Sequence, residues 1–264
     1  DKPMQVSSQS RPYMAVFGDT IYIGDGDKVV KKYTLSGNAL TLVKEMNIPN
    51  SNGIAVDGKG QLYADGGVFA AKIYDGEGNQ VGEAADKGNI SISQTEDFAL
   101  TYYPGRDAVT KISGGTASQW VISGLRSNDP SQIKGPFNTI SAIEVVDSHV
   151  LVAGSIEKEQ KLVVFDTAGN EVARSSEKLF GNGISAMTET ANGYITASVS
   201  TIHLIKKDGT FIGKSNSTKP LFGVEEIVWL KKFVPMPDGS VLALCGAKRA
   251  DETAEALLYR IKGF

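Results

Sequence analysis

Short runs of alternating apolar and polar residues recur along the whole chain, and each run ends at a turn rich in Gly, Asn or Asp. The clearest copy covers residues 52–65, which read NGIAVDGKGQLYAD, and residues 72–79 follow as a further run. Alternation with a period of two, interrupted by Gly-containing turns, predicts β-strands joined by hairpins. Residues 249–258 are the one candidate for a helix, and they are equally compatible with a loop that leads into a strand.

This phrase recurs six times at intervals of roughly 40–50 residues, which is the length of a four-stranded propeller blade. The second strand of each unit starts apolar and ends in small residues, as a sheet that narrows towards an axis requires. The third strands supply the anchors of the repeat, and these are Tyr33, Tyr74, Ile112, Phe165, Ile205 and Tyr259.

The repeat predicts an all-β fold, a six-bladed β-propeller of four-stranded antiparallel blades, with residues 1–264 forming a single domain. The last unit runs out of chain after its third strand. We therefore expect the N-terminal residues 4–8 to supply the missing fourth strand, which would close the ring and cover two sheet edges.

Charge and apolar content argue against a nucleic-acid partner and against a membrane-spanning segment. The chain has 27 basic and 30 acidic residues and a pI near 5.5, whereas a nucleic-acid-binding domain usually carries a basic face. No apolar run approaches the roughly 20 residues that span a bilayer. We expect neither nucleic acid nor a membrane span.

Cysteine usage and the first residue suggest a compartment. Cys245 is the single cysteine, so an intrachain disulfide is excluded, and its apolar surroundings predict a small buried side chain. The sequence starts at Asp1, which we interpret as the trace of a removed leader or tag. These features predict a secreted, periplasmic or cell-surface protein.

Residues 52–79 resemble the NHL-repeat propellers. The positions that carry the resemblance are Gly53, Ile54, Ala55, Asp57, Gly60, Leu62, Tyr63, Asp65, Asp75 and Gly78. Parts of the phrase return at residues 183–185 and 208–209. The resemblance implies a propeller that serves as an interaction module.

The same stretch is similar to the gluconolactonase and senescence-marker family. That family uses an Asn before Gly-Ile-Ala as a ligand for a divalent metal, and the matching residue is Asn52. The family's Glu-Gly-Pro near the start and its late Ser-Asp-Gly are absent from this sequence.

A set of polar residues precedes the first strands of the units, where a propeller has the mouth of its central channel. The residues are Arg11, Asn52, Asn89, Asn138, Asn182 and Glu225, with Trp229 beside the last of them. Their oxygens could hold Ca²⁺ or orient a polar ligand, and an exposed Trp229 could anchor a peptide or sugar. Alternatively, Asn occurs there because it suits turns, and Trp120, Trp229 and Phe233 pack in the core.

Motifs of catalysis are absent. His149 and His203 lie on different units without Cys or carboxylate neighbours at zinc-ligand spacing, and no Gly-x-Ser-x-Gly sequence is present. Residues 25–27 and 75–79 resemble calcium loops but lack the spaced acidic ligands of an EF-hand, so we expect hairpin turns.

Two long gaps in the repeat, one at residues 123–138 and the other at residues 214–232 and also 248–255, place extra chain in loops, where binding specificity tends to lie. We predict a non-enzymatic binding module without a cofactor, which binds a protein, peptide or glycan on its loop face. The alternative is a lactonase-type hydrolase in which Asn52, Asn182 and Glu225 hold Ca²⁺ or another divalent ion that activates water. A purely structural module is a third possibility.

Overall fold

The computed structural model describes residues 4–7, 12–37, 39–102, 109–120, 137, 139–179, 183–198, 201–215, 226–248 and 254–262. Their regular structure consists of β-strands, and none of them lies in a helix. The chain divides into two compact units. One comprises Asp1–Ser51 with Phe180–Phe264, and the other comprises Asn52–Leu179.

The first unit contains three four-stranded antiparallel sheets. The first sheet is β2 (Tyr13–Phe17), β3 (Thr20–Gly24), β4 (Val29–Ser36) and β5 (Ala39–Asn47). The fifth sheet is β18 (Ala186–Thr190), β19 (Gly193–Ala197), β20 (Ile202–Lys206) and β21 (Phe211–Ser215). The sixth sheet is β22 (Glu226–Pro235), β23 (Val241–Lys248), β24 (Ala254–Ile261) and β1 (Met4–Ser7).

The second unit contains the other three sheets, each with its strands hydrogen-bonded in chain order. The second sheet is β6 (Ile54–Val56), β7 (Leu62–Ala64), β8 (Ala70–Tyr74) and β9 (Gln80–Lys87). The third sheet is β10 (Asn89–Ile92), β11 (Ala99–Tyr102), β12 (Val109–Ser113) and β13 (Thr116–Gln119). The fourth sheet is β14 (Thr139–Val146), β15 (His149–Ile156), β16 (Glu159–Asp166) and β17 (Glu171–Arg174).

Six antiparallel four-stranded sheets confirm the predicted six-bladed β-propeller, and every anchor residue lies in the third strand of its sheet. The predicted closure is also confirmed, because β1 pairs with β24 and Met4 lies opposite Leu258. Residues 254–258 belong to β24, so the helical interpretation of this part of 249–258 was wrong. Apolar alternation against the buried strand β23 overrides the helix propensity of Ala and Glu. The single-domain boundary 1–264 stays a prediction.

Apolar side chains pack between neighbouring sheets within each unit. In the first unit, Leu230 and Phe233 from β22 are buried together with Ile195 from β19. In the second unit, Trp120 and Phe137 pack on Phe165, with the two ring centroids 5.8 and 6.5 Å from that of Phe165. This burial is the main favourable contribution to folding of such sheets.

The outer strands of four sheets carry the same irregularity. In each, the register slips by one residue just after the position opposite the anchor of the third strand. The residue left over at each slip is an exposed β-branched aliphatic residue, and the four are Val43, Val81, Val172 and Ile212. A bulge twists an edge strand and disrupts its row of free backbone groups, which discourages edge-to-edge pairing of chains.

Candidate functional site

Three of the seven predicted channel-mouth residues lie in the part of the chain that the structure describes. Asn52 and Asn89 lie in the described part of the second unit. Trp229 lies in β22, paired with Gly246, but its side chain is outside the described atoms. The other four lie outside the described residues, and they are Arg11, Asn138, Asn182 and Glu225. That the seven residues form one site stays a prediction.

Asn52 is exposed directly before β6, and its side chain is bound to the end of β7. Its amide Nδ2 donates a hydrogen bond to Asp65 Oδ1 at 3.2 Å. A backbone hydrogen bond joins the same two segments, since Asp65 N donates to Gly53 O at 3.2 Å. Asn52 therefore connects the beginning of the first strand with the loop that follows the second.

Asp65 has a backbone conformation that few residues adopt. Its φ is +59°, in the left-handed region, where Asp is better tolerated than most residues. Such a conformation costs free energy and persists only where surrounding contacts hold it, here those from Asn52 and Gly53. The carboxylate also acts on Tyr74, since burial and then the charge of Asp65 raise the pKa of that phenol.

The loop after Asp65 lies close against the next sheet. Gly67 N donates to Gly88 O at 2.9 Å. A Cβ on Gly66 would lie 2.4 Å from the same oxygen, which requires glycine at that position. The loop is therefore held before Val68 by Asn52 and Gly88, and after Phe69 by the start of β8, where Ala70 lies opposite Lys87.

Two apolar side chains project from this held loop into solvent. Val68 is 54% exposed and Phe69 is 68% exposed. We name residues 66–69 the apolar loop. Adjacent exposed apolar residues on a loop with fixed ends are typical of a binding surface rather than of a solvated turn.

Asn89 is half-buried at the start of β10, opposite Tyr102. Burial raises the pKa of Tyr102, while hydrogen bonds to the backbone of Ile143 and to the side chain of Asn89 act in the opposite direction. Asn89 thus contacts a buried phenol of its own sheet.

Asn50 is a buried polar residue that the repeat pattern does not indicate. It is 0% exposed and its Oδ1 accepts from Gly26 N at 2.6 Å. Its Nδ2 donates to Ile48 O, Val29 O and Asp25 Oδ1. Asn50 follows Pro49, whereas Asn52 precedes Gly53, and neither neighbourhood indicates which of the two side chains is buried.

The turns that resemble calcium loops are hairpin turns, as predicted. Asp25 Oδ1 accepts the backbone N–H groups of residues 27, 28 and 29. Burial raises the pKa of Asp25, but these bonds together outweigh it and the net pKa lies below the usual value. Asp75 accepts in the same way from the backbone of Glu77 and Asn79. The carboxylates are satisfied by their own turns.

The remaining chemically interesting side chains belong to the core. Trp120, Phe233, Cys245 and His203 are all buried, which confirms the prediction for Cys245. Burial raises the pKa of the Cys245 thiol to about 12. It lowers the pKa of His203 to about 4, and His203 Nδ1 lies 3.3 Å from Thr196 Oγ1. His149 is half-buried at the start of β15.

A divalent metal finds few ligands among the described residues. No group of three or more His, Cys, Asp or Glu side chains comes together there. Asn52 and Asp65 offer one amide and one carboxylate, whereas Ca²⁺ takes six to eight oxygens. The described residues alone therefore do not make up the ligand set that the gluconolactonase resemblance implies, and that reaction stays a prediction. None of the described segments forms a helix suited to crossing a bilayer.

No family model and no curated protein matches this chain. Among solved structures, the WD40 β-propeller domain of Doa1 matches over 97% of this chain and 97% of its own, at 10% identity and a TM-score of 0.54. The computationally designed Ika8 protein matches over 94% of this chain and 71% of its own, at 15% identity and a TM-score of 0.51. These similarities support the six-bladed β-propeller fold.

Proposed function

We propose that this propeller is a non-enzymatic interaction module that binds a protein or peptide through the apolar loop of the second sheet. The observation that carries the proposal is the exposure of Val68 and Phe69 side by side on a loop fixed at both ends. Aromatic residues are enriched at protein interfaces, so an exposed apolar pair that includes a Phe favours contact with a partner protein.

The energy of such a contact is large enough to matter. Fully burying an exposed Phe or Val side chain contributes roughly 1.5–3 kcal/mol, so the exposed fractions of this pair, 54% and 68%, would contribute about 2–4 kcal/mol, close to the free energy of a millimolar interaction. The hydrogen bond from Asn52 to Asp65 and the contact with Gly88 fix the loop before a partner arrives. A preformed loop loses less conformational entropy on binding than a free one.

Protein or peptide is favoured over glycan by the chemistry of the loop. Val68 is aliphatic and carries no hydrogen-bonding group, so it complements an apolar side chain better than a sugar hydroxyl. Polar groups that surround it, among them Asn52 and Asp65, would form a rim suited to backbone amides.

A peptide selection with paired variants tests this function. A displayed random-peptide library is selected against the wild-type protein, and the enriched peptides are measured on V68S/F69S and on L42S/V43S. Leu42 and Val43 are also adjacent, apolar and exposed, but they lie on β5 in the other unit. We expect about a tenfold or greater loss of affinity for V68S/F69S only.

Equal affinity for both variants would overturn the assignment of the binding surface. Failure to enrich any peptide, with enrichment on a glycan array that V68S/F69S abolishes, would replace the peptide by a sugar. Since both double variants exchange two exposed apolar residues for Ser, a general loss of folding would affect both, and thermal unfolding of each reports it.

The metal-dependent alternative has its own test. A hydrolase that uses Asn52, Asn182 and Glu225 as ligands would retain a stoichiometric divalent ion, because activation of water requires the bound metal. We expect elemental analysis after dialysis, first against calcium chloride and then against metal-free buffer, to find none. One ion per chain that is lost in N52A would favour the hydrolase.

We also propose that the protein acts outside the cytoplasm. Its single thiol, Cys245, is buried and has a raised pKa, so it is protected from the oxidation that an extracytoplasmic compartment favours. Fractionation of cells that produce the protein from its natural gene tests this location. Recovery only in the cytoplasmic fraction would contradict it.

A further inference from the structure

A pocket of about 320 Å³ opens between the second and third sheets, within the second unit. It lies at the ends of the strands that carry the turns β6–β7, β10–β11 and β12–β13, opposite the ends that carry the apolar loop. Its walls and floor are largely apolar, formed by Ile73, Ile92, Phe98, Ala99 and Ile112. The pocket is thus separate from the surface proposed above.

Short contacts hold the turns around this pocket in place. A Cβ on Gly58 would lie 2.3 Å from Gln94 O, so the backbones of two turns touch there. Ser93 Oγ accepts the backbone N–H groups of residues 95 and 96. Ser113 Oγ donates to Asp97 O at 2.9 Å. A pocket whose rim is tied by such bonds is largely preformed, as ligand sites usually are.

The rim of the pocket is acidic. Three acidic residues, Asp57, Glu96 and Asp97, are among the residues that line it, with Lys59 as the basic residue among them. Burial is the largest cause that raises the pKa of Tyr63, and the negative charges of Asp57 and Asp97 raise it further. Two of the three rim carboxylates therefore act electrostatically on a phenol in the pocket wall.

The ammonium group of Lys111 lies nearby but does not neutralise the acidic rim. Lys111 Nζ lies 4.7 Å from the centroid of the Phe98 ring and donates to Thr167 O. Lys111 is not among the residues that line the pocket, although Phe98 is. The Lys111 ammonium group is thus engaged with the Phe98 ring and with Thr167 O.

We propose that this pocket binds an arginine or lysine side chain presented by an exposed segment of a partner protein. The alkyl stem of such a side chain would contact Ile92 and Phe98, and its charged end would reach Glu96 and Asp97. Basic side chains combine these two parts, and charge-assisted hydrogen bonds to carboxylates are stronger than neutral ones. The volume is at the low end for ligand sites, which suits one side chain rather than a larger molecule.

The experiment uses the full chain, labelled with ¹⁵N, and three peptides that differ at one residue. The probes are Ac-Gly-Gly-X-Gly-Gly-NH₂ with X as arginine, lysine or citrulline, the last being a neutral analogue of arginine. Titration at low ionic strength is followed by amide chemical shifts, since screening weakens exposed charge pairs. We expect saturable shifts at residues 93–97 and 113–115 with the arginine and lysine peptides, and none with citrulline.

Matched variants test the rim itself. E96Q/D97N removes two charges of the rim while preserving side-chain size, and we expect the arginine peptide to bind about three- to tenfold more weakly. E83Q/E177Q removes the same charge from two exposed positions outside the pocket, and we expect unchanged binding. Asp57 is left intact because its carboxylate accepts the backbone N–H groups of Lys59 and Gln61.

Three results would overturn the proposal. These are equal shifts with citrulline, no saturable shift at the pocket residues with either basic peptide, and equal weakening in the two double variants. The last would mean that the net charge of the chain, and not the pocket, attracts the peptide. The comparison of arginine with citrulline uses the wild-type protein, so it stands even if a variant fails to fold.

Discussion

The side-chain amide of Asn52 donates a hydrogen bond to the carboxylate of Asp65, with 3.2 Å between Nδ2 and Oδ1. This bond spans the entrance of β6 and the exit of β7, and it holds Asp65 at a positive φ just before the apolar loop. In this account Asn52 is a positioning residue, because it fixes the loop on which Val68 and Phe69 are exposed.

Asn52→Ala should therefore loosen the apolar loop without unfolding the protein. Loss of one hydrogen bond to a charged acceptor at an exposed site costs about 0.5–1.5 kcal/mol. We expect faster amide hydrogen exchange at residues 66–69 in N52A. Asn79→Ala is the matched control, since Asn79 Nδ2 donates to Asp75 Oδ2 in a turn at the other end of the sheet. Unchanged exchange in N52A, or equal acceleration in N79A, would contradict the positioning role.

Gly58→Ala should destabilise the second unit, because the new methyl group would meet the backbone oxygen of Gln94 at 2.3 Å. Overpacking against backbone costs roughly 1–3 kcal/mol in the free energy of unfolding. Gly213→Ala is the control in an outer strand, where an added Cβ meets nothing within 4 Å and φ is not positive. Chemical denaturation of both variants gives the comparison, and a loss in G58A no larger than that in G213A would refute the close approach.

Lys158→Gly should stabilise the protein. Glu157 and Lys158 form the two-residue turn between β15 and β16, with φ values of +50° and +69°. A turn with two positive φ values favours Asn and Gly, because the left-handed region costs other residues about 1–2 kcal/mol. We expect K158G to gain about 1 kcal/mol and K158A to gain nothing, as measured by urea denaturation. No difference between K158G and K158A would mean that the turn is unstrained.

The buried imidazole of His203 should make stability depend on pH. Burial lowers its pKa to about 4, below the usual value of 6.5, with a smaller contribution in the same direction from the charge of Lys214. The unfolded state therefore binds a proton at a higher pH than the folded state does. The stabilisation is complete above pH 6.5 and is lost as the pH falls from 6.5 towards 4.

The measurement compares the free energy of unfolding at pH 7.5 and pH 5.0 in the wild type and in His203→Leu. We expect the wild type to lose about 2 kcal/mol more than the variant over this interval. Constant effects of the substitution, such as the lost contact with Thr196, cancel in the comparison. An equal loss in both proteins would show that His203 is solvated or protonated in the folded state.

Much of the fold follows from local sequence. Each third-strand anchor, such as Tyr74 or Phe165, sits in a run whose alternation and flanking Gly turns specify a strand by themselves. The closure by β1 could be predicted because β24 would otherwise leave an unpaired edge. The bulges at Val81 and Val172 could not, because a register slip depends on the pairing of two strands rather than on either strand alone.

The polar contacts and the pocket could be predicted less well, because they too depend on residues that are distant from one another in the sequence. Asn50 and Asn52 lie only two residues apart, yet Asn50 is buried because Gly24 leaves room for it, with a Cβ position only 2.7 Å from its Oδ1. That glycine precedes it by a whole hairpin. The pocket beside Gly58 likewise arises from turns that each read as ordinary, and its concave shape depends on the contact with Gln94.

Binding of a partner at the apolar loop is tested most directly by amide hydrogen–deuterium exchange of the wild-type protein with and without a selected peptide at saturating concentration. We expect protection on binding to centre on residues 65–70 and to be absent from the exposed outer-strand pair Leu42 and Val43. Protection confined to other segments, with exchange at residues 65–70 unchanged, would contradict it.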